Sequence, residues 1–168
     1  MSANRKPVIV RKLSRDWAAG YAAANPAGEA ELELLDARGR LVRIEWAQIK
    51  WVCYVRELPG SEGTAEQQPE RLLRRNFTGR PRIAGLWLRL TLEDGEELEG
   101  ITANDRSLID GNGLLLTPPD TRSNTQRVFV PRAAVRELTV LGVIAPKQRD
   151  GLQMEAQPEL FGEGGSEI

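Results

Sequence analysis

The sequence predicts an all-β protein made of two small five-stranded antiparallel barrels in tandem. Three observations carry this expectation. Short runs of alternating apolar and polar residues recur along the chain, broken by Gly, Asp and Pro clusters. Two of the breaks, Asp36-Ala-Arg-Gly39 and Glu93-Asp-Gly-Glu96, have the composition of tight hairpin turns. The order of runs in the first third of the chain returns in residues 86–143.

Taken in order, residues 1–7 read as a frayed terminus. Val8-Ile-Val-Arg-Lys-Leu13 is the first strand, Ser14-Arg-Asp16 a turn, and Trp17-Ala-Ala-Gly-Tyr21 a second extended run. The 22–30 stretch is a loop broken by Asn25-Pro26 and Gly28. Leu32-Glu-Leu-Leu35 and Leu41-Val-Arg-Ile-Glu45 flank a turn in which Gly39 supplies positive φ. Trp46-Ala-Gln48 is a brief turn, and Ile49-Lys-Trp-Val-Cys-Tyr-Val-Arg56 a long apolar strand. Residues 1–57 thus form the first barrel. Residues 58–85 are a flexible linker that is Gly-, Pro- and Glu-rich at first and strongly basic at its end. The second barrel spans 86–145, with strands at Leu86–Leu92, 97–101, 114–116, 127–130 and 137–143. A polar tail, 146–168, is expected to be disordered.

An offset of 80 lays Val8, Val10, Gly20 and Tyr21 on Leu88, Leu90, Gly100 and Ile101. An offset of 86 lays Val42, Ile44, Ile49, Val52 and Tyr54 on Val128, Val130, Val135, Leu138 and Val140. A longer loop in the second copy, residues 117–126, absorbs the difference.

Composition narrows the function. The net charge of −1 gives no whole-chain attraction to nucleic acid or an anionic surface, so any such attraction is local. The chain has no histidine and one cysteine, Cys53, which leaves no internal disulfide, no His/Cys zinc set and no Ser-His or Cys-His nucleophile system. No carboxylate pair can be placed across a cleft. We therefore expect a non-enzymatic protein without metal or cofactor. No apolar run reaches transmembrane length and no signal-peptide core opens the chain, so a cytoplasmic location is expected.

Leu88-Arg-Leu-Thr-Leu-Glu-Asp-Gly-Glu-Glu-Leu-Glu-Gly-Ile101 resembles the first motif of the Sm-like (LSm/Hfq-type) family of small SH3-like β-barrels. Arg127-Val-Phe-Val-Pro-Arg-Ala-Ala-Val-Arg-Glu-Leu-Thr-Val-Leu141 is similar in outline to the second. The resemblance implies a five-stranded barrel, ring oligomers, and RNA bound by an Asp and an Asn in the loop after the second strand. Here that loop carries Asn104, Asp105 and Arg106; Asp105 stands one residue early, and Asp110 or Gly111 stands at the Asn position.

The basic segment holds Arg71, Arg74, Arg75, Arg80 and Arg82, with Phe77 among them. Guanidiniums that grip phosphates and a ring that stacks on a base would make it a nucleic-acid site. The alternative is a segment that pairs with Glu57, Glu62, Glu66 and Glu70 and clamps the two barrels together. Arg71-Leu-Leu-Arg-Arg75 with Asp105-Arg-Ser107 also resembles the PilZ family, whose paired motifs hold cyclic di-GMP, although Asp110 stands where those motifs have a Gly. Trp46, Trp51 and Tyr54 make the last strand of the first unit apolar on both faces. The second face is expected to meet the second unit, another subunit or the linker. In the tail, Gln157-Pro-Glu-Leu160-Phe161 resembles peptides that dock on the bacterial sliding clamp.

Overall fold

The computed structural model describes residues 4–59, 68–72 and 74–146. The tail motif at Gln157, Leu160 and Phe161 lies outside the described residues, as do residues 60–67 of the linker. The fold is all-β and antiparallel. Its strands are β1 (Arg5–Lys12), β2 (Trp17–Ala23), β3 (Leu32–Leu35), β4 (Leu41–Ile44), β5 (Ile49–Val55), β6 (Gly85–Leu92), β7 (Glu97–Thr102), β8 (Gly113–Leu116), β9 (Thr125–Pro131) and β10 (Val135–Ile144). Arg5 to Pro7, expected to fray, belong to β1 and pair with β2.

The strands do not divide five and five. A seven-stranded sheet runs β4-β3-β2-β1-β5-β9-β8 and a three-stranded sheet runs β10-β6-β7, and neither closes on itself. The expectation of two closed barrels is corrected here, and β5 is the reason. All seven of its residues are buried. It pairs with β1 on one edge (Val8 with Tyr54, Val10 with Val52) and with β9 on the other (Val52 with Phe129, Cys53 with Val128). A strand that is apolar on both faces is stable only between two packed layers. β9 and β8 therefore extend the first sheet. The two sheets still touch, because Ile101 and Thr117 exchange backbone hydrogen bonds of 3.0 and 2.8 Å.

Alternation along the three central strands sends side chains to two cores. Ile9, Trp51, Cys53, Val55, Val128 and Val130 face Leu88, Leu90, Leu92, Leu98 and Leu116. Val8, Val10, Val52, Tyr54 and Phe129 face Ala22, Leu32, Leu34 and Ile44. Phe129 comes from the C-terminal half yet is fully buried in the core of the N-terminal half.

Local geometry recurs between the halves. The pairing of Val8 with Gly20 and Tyr54 returns as that of Leu88 with Gly100 and Val140. The 3₁₀ turn Trp46–Gln48 before β5 returns as Arg132–Ala134 before β10. Gly20 and Gly100 sit where a Cβ would strike the next strand, against the Leu35 carbonyl and the Leu116 side chain respectively. The hairpin before β7 uses Gly95 at φ 89°, whereas its counterpart before β2 puts Arg15 at φ 78°, where a side chain is strained.

Because Phe129 links the halves, Phe129→Ala is expected to destabilise the protein by about 3–5 kcal/mol. Urea unfolding followed by Trp fluorescence should keep one transition at a lower midpoint. Two separated transitions in the wild type would show that the halves unfold independently.

Candidate functional site

The described part of the basic segment has no strand of its own, but it is fastened along the chain. Leu72 is buried in the core below β5 and Pro81 is also buried. The main fastening is Glu99 on β7, only 3% exposed. Its Oε2 accepts the Phe77 N–H at 3.0 Å and its Oε1 accepts the Trp87 indole N–H at 3.2 Å. Its own N–H donates to the Arg75 carbonyl at 2.7 Å. The Phe77 ring meets Trp87 edge-on at 6.2 Å. Further along, Arg80 donates to the Val143 carbonyl at 3.0 Å. The segment thus crosses the outer face of the three-stranded sheet, from the β6–β7 hairpin to the end of β10.

The arginines divide accordingly. Arg75 and Arg80 are spent on internal contacts, and Phe77 is half-buried against Trp87 rather than presented for stacking. Arg71 is exposed at φ 47°, its N–H bonded to the Gln68 carbonyl at 3.1 Å. Arg74 and Arg82 are exposed and make no ion pair among the described residues. In the loop after β7, Asp105 accepts the Ser107 N–H at 2.8 Å, which with the Ser107 hydroxyl holds its carboxyl below the ordinary Asp range. Arg106 pairs with Asp110 at 3.0 Å, both largely in solvent, and Asn104 is exposed.

Register decides which of these residues come together. Leu86 pairs with Thr102, so the segment enters β6 at the end where β7 leaves for the 103–106 loop. Arg82, Asn104 and Arg106 share that end. Arg75 lies beside Glu96 at the opposite end of β7. The Arg75 carbonyl meets Glu99 midway along β7 and its guanidinium reaches back to Glu96, so that guanidinium lies at the far end of β7 from the Asp105–Ser107 half of the cyclic di-GMP-like pattern.

Sequence reasoning missed a charged cleft of about 920 Å³ at the joint between the halves, beside the β1–β2 turn and the β6–β7 hairpin. Lys50, 6% exposed, reaches Asp94 and Glu96 at 2.6 Å each, and Arg75 reaches the same Glu96 oxygen at 2.6 Å. Both cations lie over the Trp51 ring, at 4.5 and 5.8 Å from its centre. Deeper in, Arg11 grips Glu70 with two bonds of 3.0 and 2.7 Å, a forked pair that shields both from solvent. These charges are matched within the chain and clamp the joint, and Lys12, Arg15 and Asp16 complete the charged lining of the cleft. Asp94 shows the balance: burial pushes its carboxyl up, but the Lys50 ammonium and the Glu96 N–H together hold it below the ordinary Asp range. Nothing in the alternation of Glu97-Leu98-Glu99 or in the polar hairpin marks these acids as partly or wholly enclosed.

The aromatic trio serves the interior. Trp51 is 2% and Tyr54 5% exposed, in opposite cores. The Tyr54 hydroxyl donates to the Ala23 carbonyl at 2.5 Å. The Trp46 indole donates to the Glu29 carbonyl at 2.9 Å while its ring packs on Phe129 at 5.4 Å. Cys53 is fully buried, and burial, with the Glu70 carboxylate second, pushes its thiol well above the ordinary value. A thiol so held is a core side chain and a poor nucleophile. Among the described residues no group of three His, Cys, Asp or Glu side chains could hold a metal ion, and no helix is long and apolar enough to cross a membrane.

Fold and site together define an all-β antiparallel protein whose two halves share a central strand and are clamped by a connecting segment. The chain belongs to the DUF6982 family, a family of unknown function, whose profile matches residues 4–142 and so spans both halves. No curated protein and no solved structure matches it.

Two outcomes follow from the clamp. Glu99→Ala should release the segment, so limited trypsin digestion mapped by mass spectrometry should cut faster after Arg75 and Arg82 while cleavage after Arg38 is unchanged. Asp94 has a depressed folded pKa, so the stability it confers is present above the ordinary Asp value and is lost as pH falls through the folded one. Asp94→Asn should therefore flatten the acid loss of stability between about pH 5 and pH 2 in urea titrations.

Proposed function

We propose that the chain is a non-catalytic cytoplasmic binding module of two tandem Sm-like units, and that its ligand is nucleic acid, with RNA favoured over DNA. Support for the tandem comes from the recurring registers. β1–β2 and β1–β5 pair as β6–β7 and β6–β10 do, with Gly20 and Gly100 at equivalent close approaches. The order β4-β3-β2-β1-β5 has its counterpart in β9-β8, the Ile101–Thr117 bridge, and β7-β6-β10.

One observation carries the ligand. The Leu86–Thr102 register brings exposed Arg82 to the end of the sheet where exposed Asn104 and Arg106 emerge. Two guanidiniums and an amide suit a phosphodiester backbone and an unstacked base edge. Arg74 adds a further exposed charge at the other end of the segment. Arg75, Phe77 and Arg80 hold the segment in place and do not touch the ligand.

Fluorescence anisotropy with single-stranded RNA at low salt tests this. Arg82→Ala with Arg106→Ala should weaken binding and flatten the log–log salt dependence by about 1.4, the share of two phosphate contacts on a single strand. Absence of measurable binding to mixed RNA and DNA pools at low salt would remove the reading.

A further inference from the structure

The cleft at the joint holds more cations than its clamp uses. Arg11 is matched by Glu70, and Lys50 and Arg75 by Asp94 and Glu96. Lys12 and Arg15 line the same cleft and make no ion pair among the described residues. The lining has one further carboxylate among those residues, Asp16, which accepts the Ser14 hydroxyl at 3.1 Å. One positive charge is therefore left over. The cleft also holds an unused donor. Trp51 lines it at 2% exposure, and its indole N–H is buried without an acceptor among the described residues. Buried polar groups are nearly always hydrogen-bonded, because one left unpaired costs stability.

The turn that carries Arg15 points the same way. Arg15 is held at φ 78°, whereas the hairpin before β7 has Gly95 at φ 89°. A glycine takes this conformation without strain and an arginine does not. No internal contact of the arginine side chain offsets that strain. The bond the turn makes to Arg11 uses the Arg15 carbonyl, at 2.9 Å, which a glycine would supply as well. The Arg15 side chain itself is exposed. Backbone strain of this kind persists where a side chain is needed for a ligand.

We propose that this cleft binds a small organic anion, a ring-containing apolar body that carries one carboxylate or phosphate group. Lys12, Arg15 and the Trp51 indole N–H are its recognition groups. All three are donors left without a partner, so the ligand must be an acceptor. A guanidinium and an ammonium suit either oxyanion. Asp94 and Glu96 share the lining and repel a polyanion, which limits the ligand to one or two charges. The half-buried side chains of Leu13 and Trp17 supply an apolar wall for the body. At about 920 Å³ the cleft has the size of a small-molecule site and is far larger than a bare ion needs. It lies beside the β6–β7 hairpin, at the far end of β7 from the loop of Asn104 and Arg106, so the proposal does not rest on the nucleic-acid reading.

The four Trp indole N–H signals in a proton–nitrogen correlation spectrum of the full chain test this. Trp46 and Trp87 already donate within the chain, to the Glu29 carbonyl and to Glu99. Benzoate and phenyl phosphate are the probes, and the tighter of the two identifies the oxyanion. Either should move the Trp51 signal, assigned with Trp51→Phe, along a saturating curve while the Trp46 and Trp87 signals stay. Benzyl alcohol, which lacks the charge, should leave the Trp51 signal in place, and acetate and inorganic phosphate, which lack the ring, should bind more weakly than the probes. Lys12→Ala with Arg15→Ala should weaken binding by about tenfold or more. Arg15→Gly should weaken it as well, yet raise the urea midpoint by relieving the turn, so lost binding cannot be lost folding. Arg82→Ala with Arg106→Ala should leave probe binding unchanged, whatever it does to RNA. A Trp51 signal that neither probe moves overturns the proposal. So do equal shifts of all four signals, or wild-type affinity in Arg15→Gly.

Discussion

The structure depends on β5, a strand with no side left for water. Its edges take β1 and β9, and its faces fill both cores. Burying a large apolar side chain is worth about 1.5–3 kcal/mol, and β5 buries Ile49, Trp51, Val52, Tyr54 and Val55. Taken out of its partners' company, either half would expose a face of these residues. This explains why the sheet boundary does not follow the chain. β9 is recruited across the joint because β5 offers it both a hydrogen-bonding edge and a pocket for Phe129, and the three-stranded sheet keeps what remains.

The clamp explains why so many arginines leave so little field. Arg11, Arg75 and Lys50 all meet carboxylates at the joint, and Glu99 ties the segment to the outer face of β7 through its backbone. A buried ion pair contributes less to stability than its distance suggests, because both charges lose water. It does fix geometry: the segment can lie only where its partners stand. The arginines that remain in solvent, Arg74, Arg82 and Arg106 among them, are thus held at defined places on the surface, although Arg106 shares its charge with Asp110.

Much of the fold was legible because strands announce themselves locally. The turns at Gly39 and Gly95, the alternation in Leu88, Leu90 and Leu92, and the short turns before β5 and β10 all depend on neighbours within a few residues. The continuous apolar run of β5 even signalled a second packed face. It did not signal that the partner strand would be β9, because pairing between strands 70 residues apart leaves no mark in either one. The site was less legible for the same reason. Asp105 and Ser107 form a local turn that spacing alone can suggest. Glu99, Asp94 and Glu96 look like any solvent-facing acids until the segment and Lys50 are folded against them. The arginine cluster was visible as composition, but its division into clamping and exposed members is set by tertiary contacts.

Fusing the two halves in one chain keeps the joint between them together. β5 and β9 are held in one chain by the connecting segment, and a short flexible tether holds partners at an effective concentration of about a millimolar. The joint also closes over Phe129, which is fully buried in the core of the N-terminal half. The pairing of β5 with β9 is made within the chain, so it does not depend on the chain's concentration.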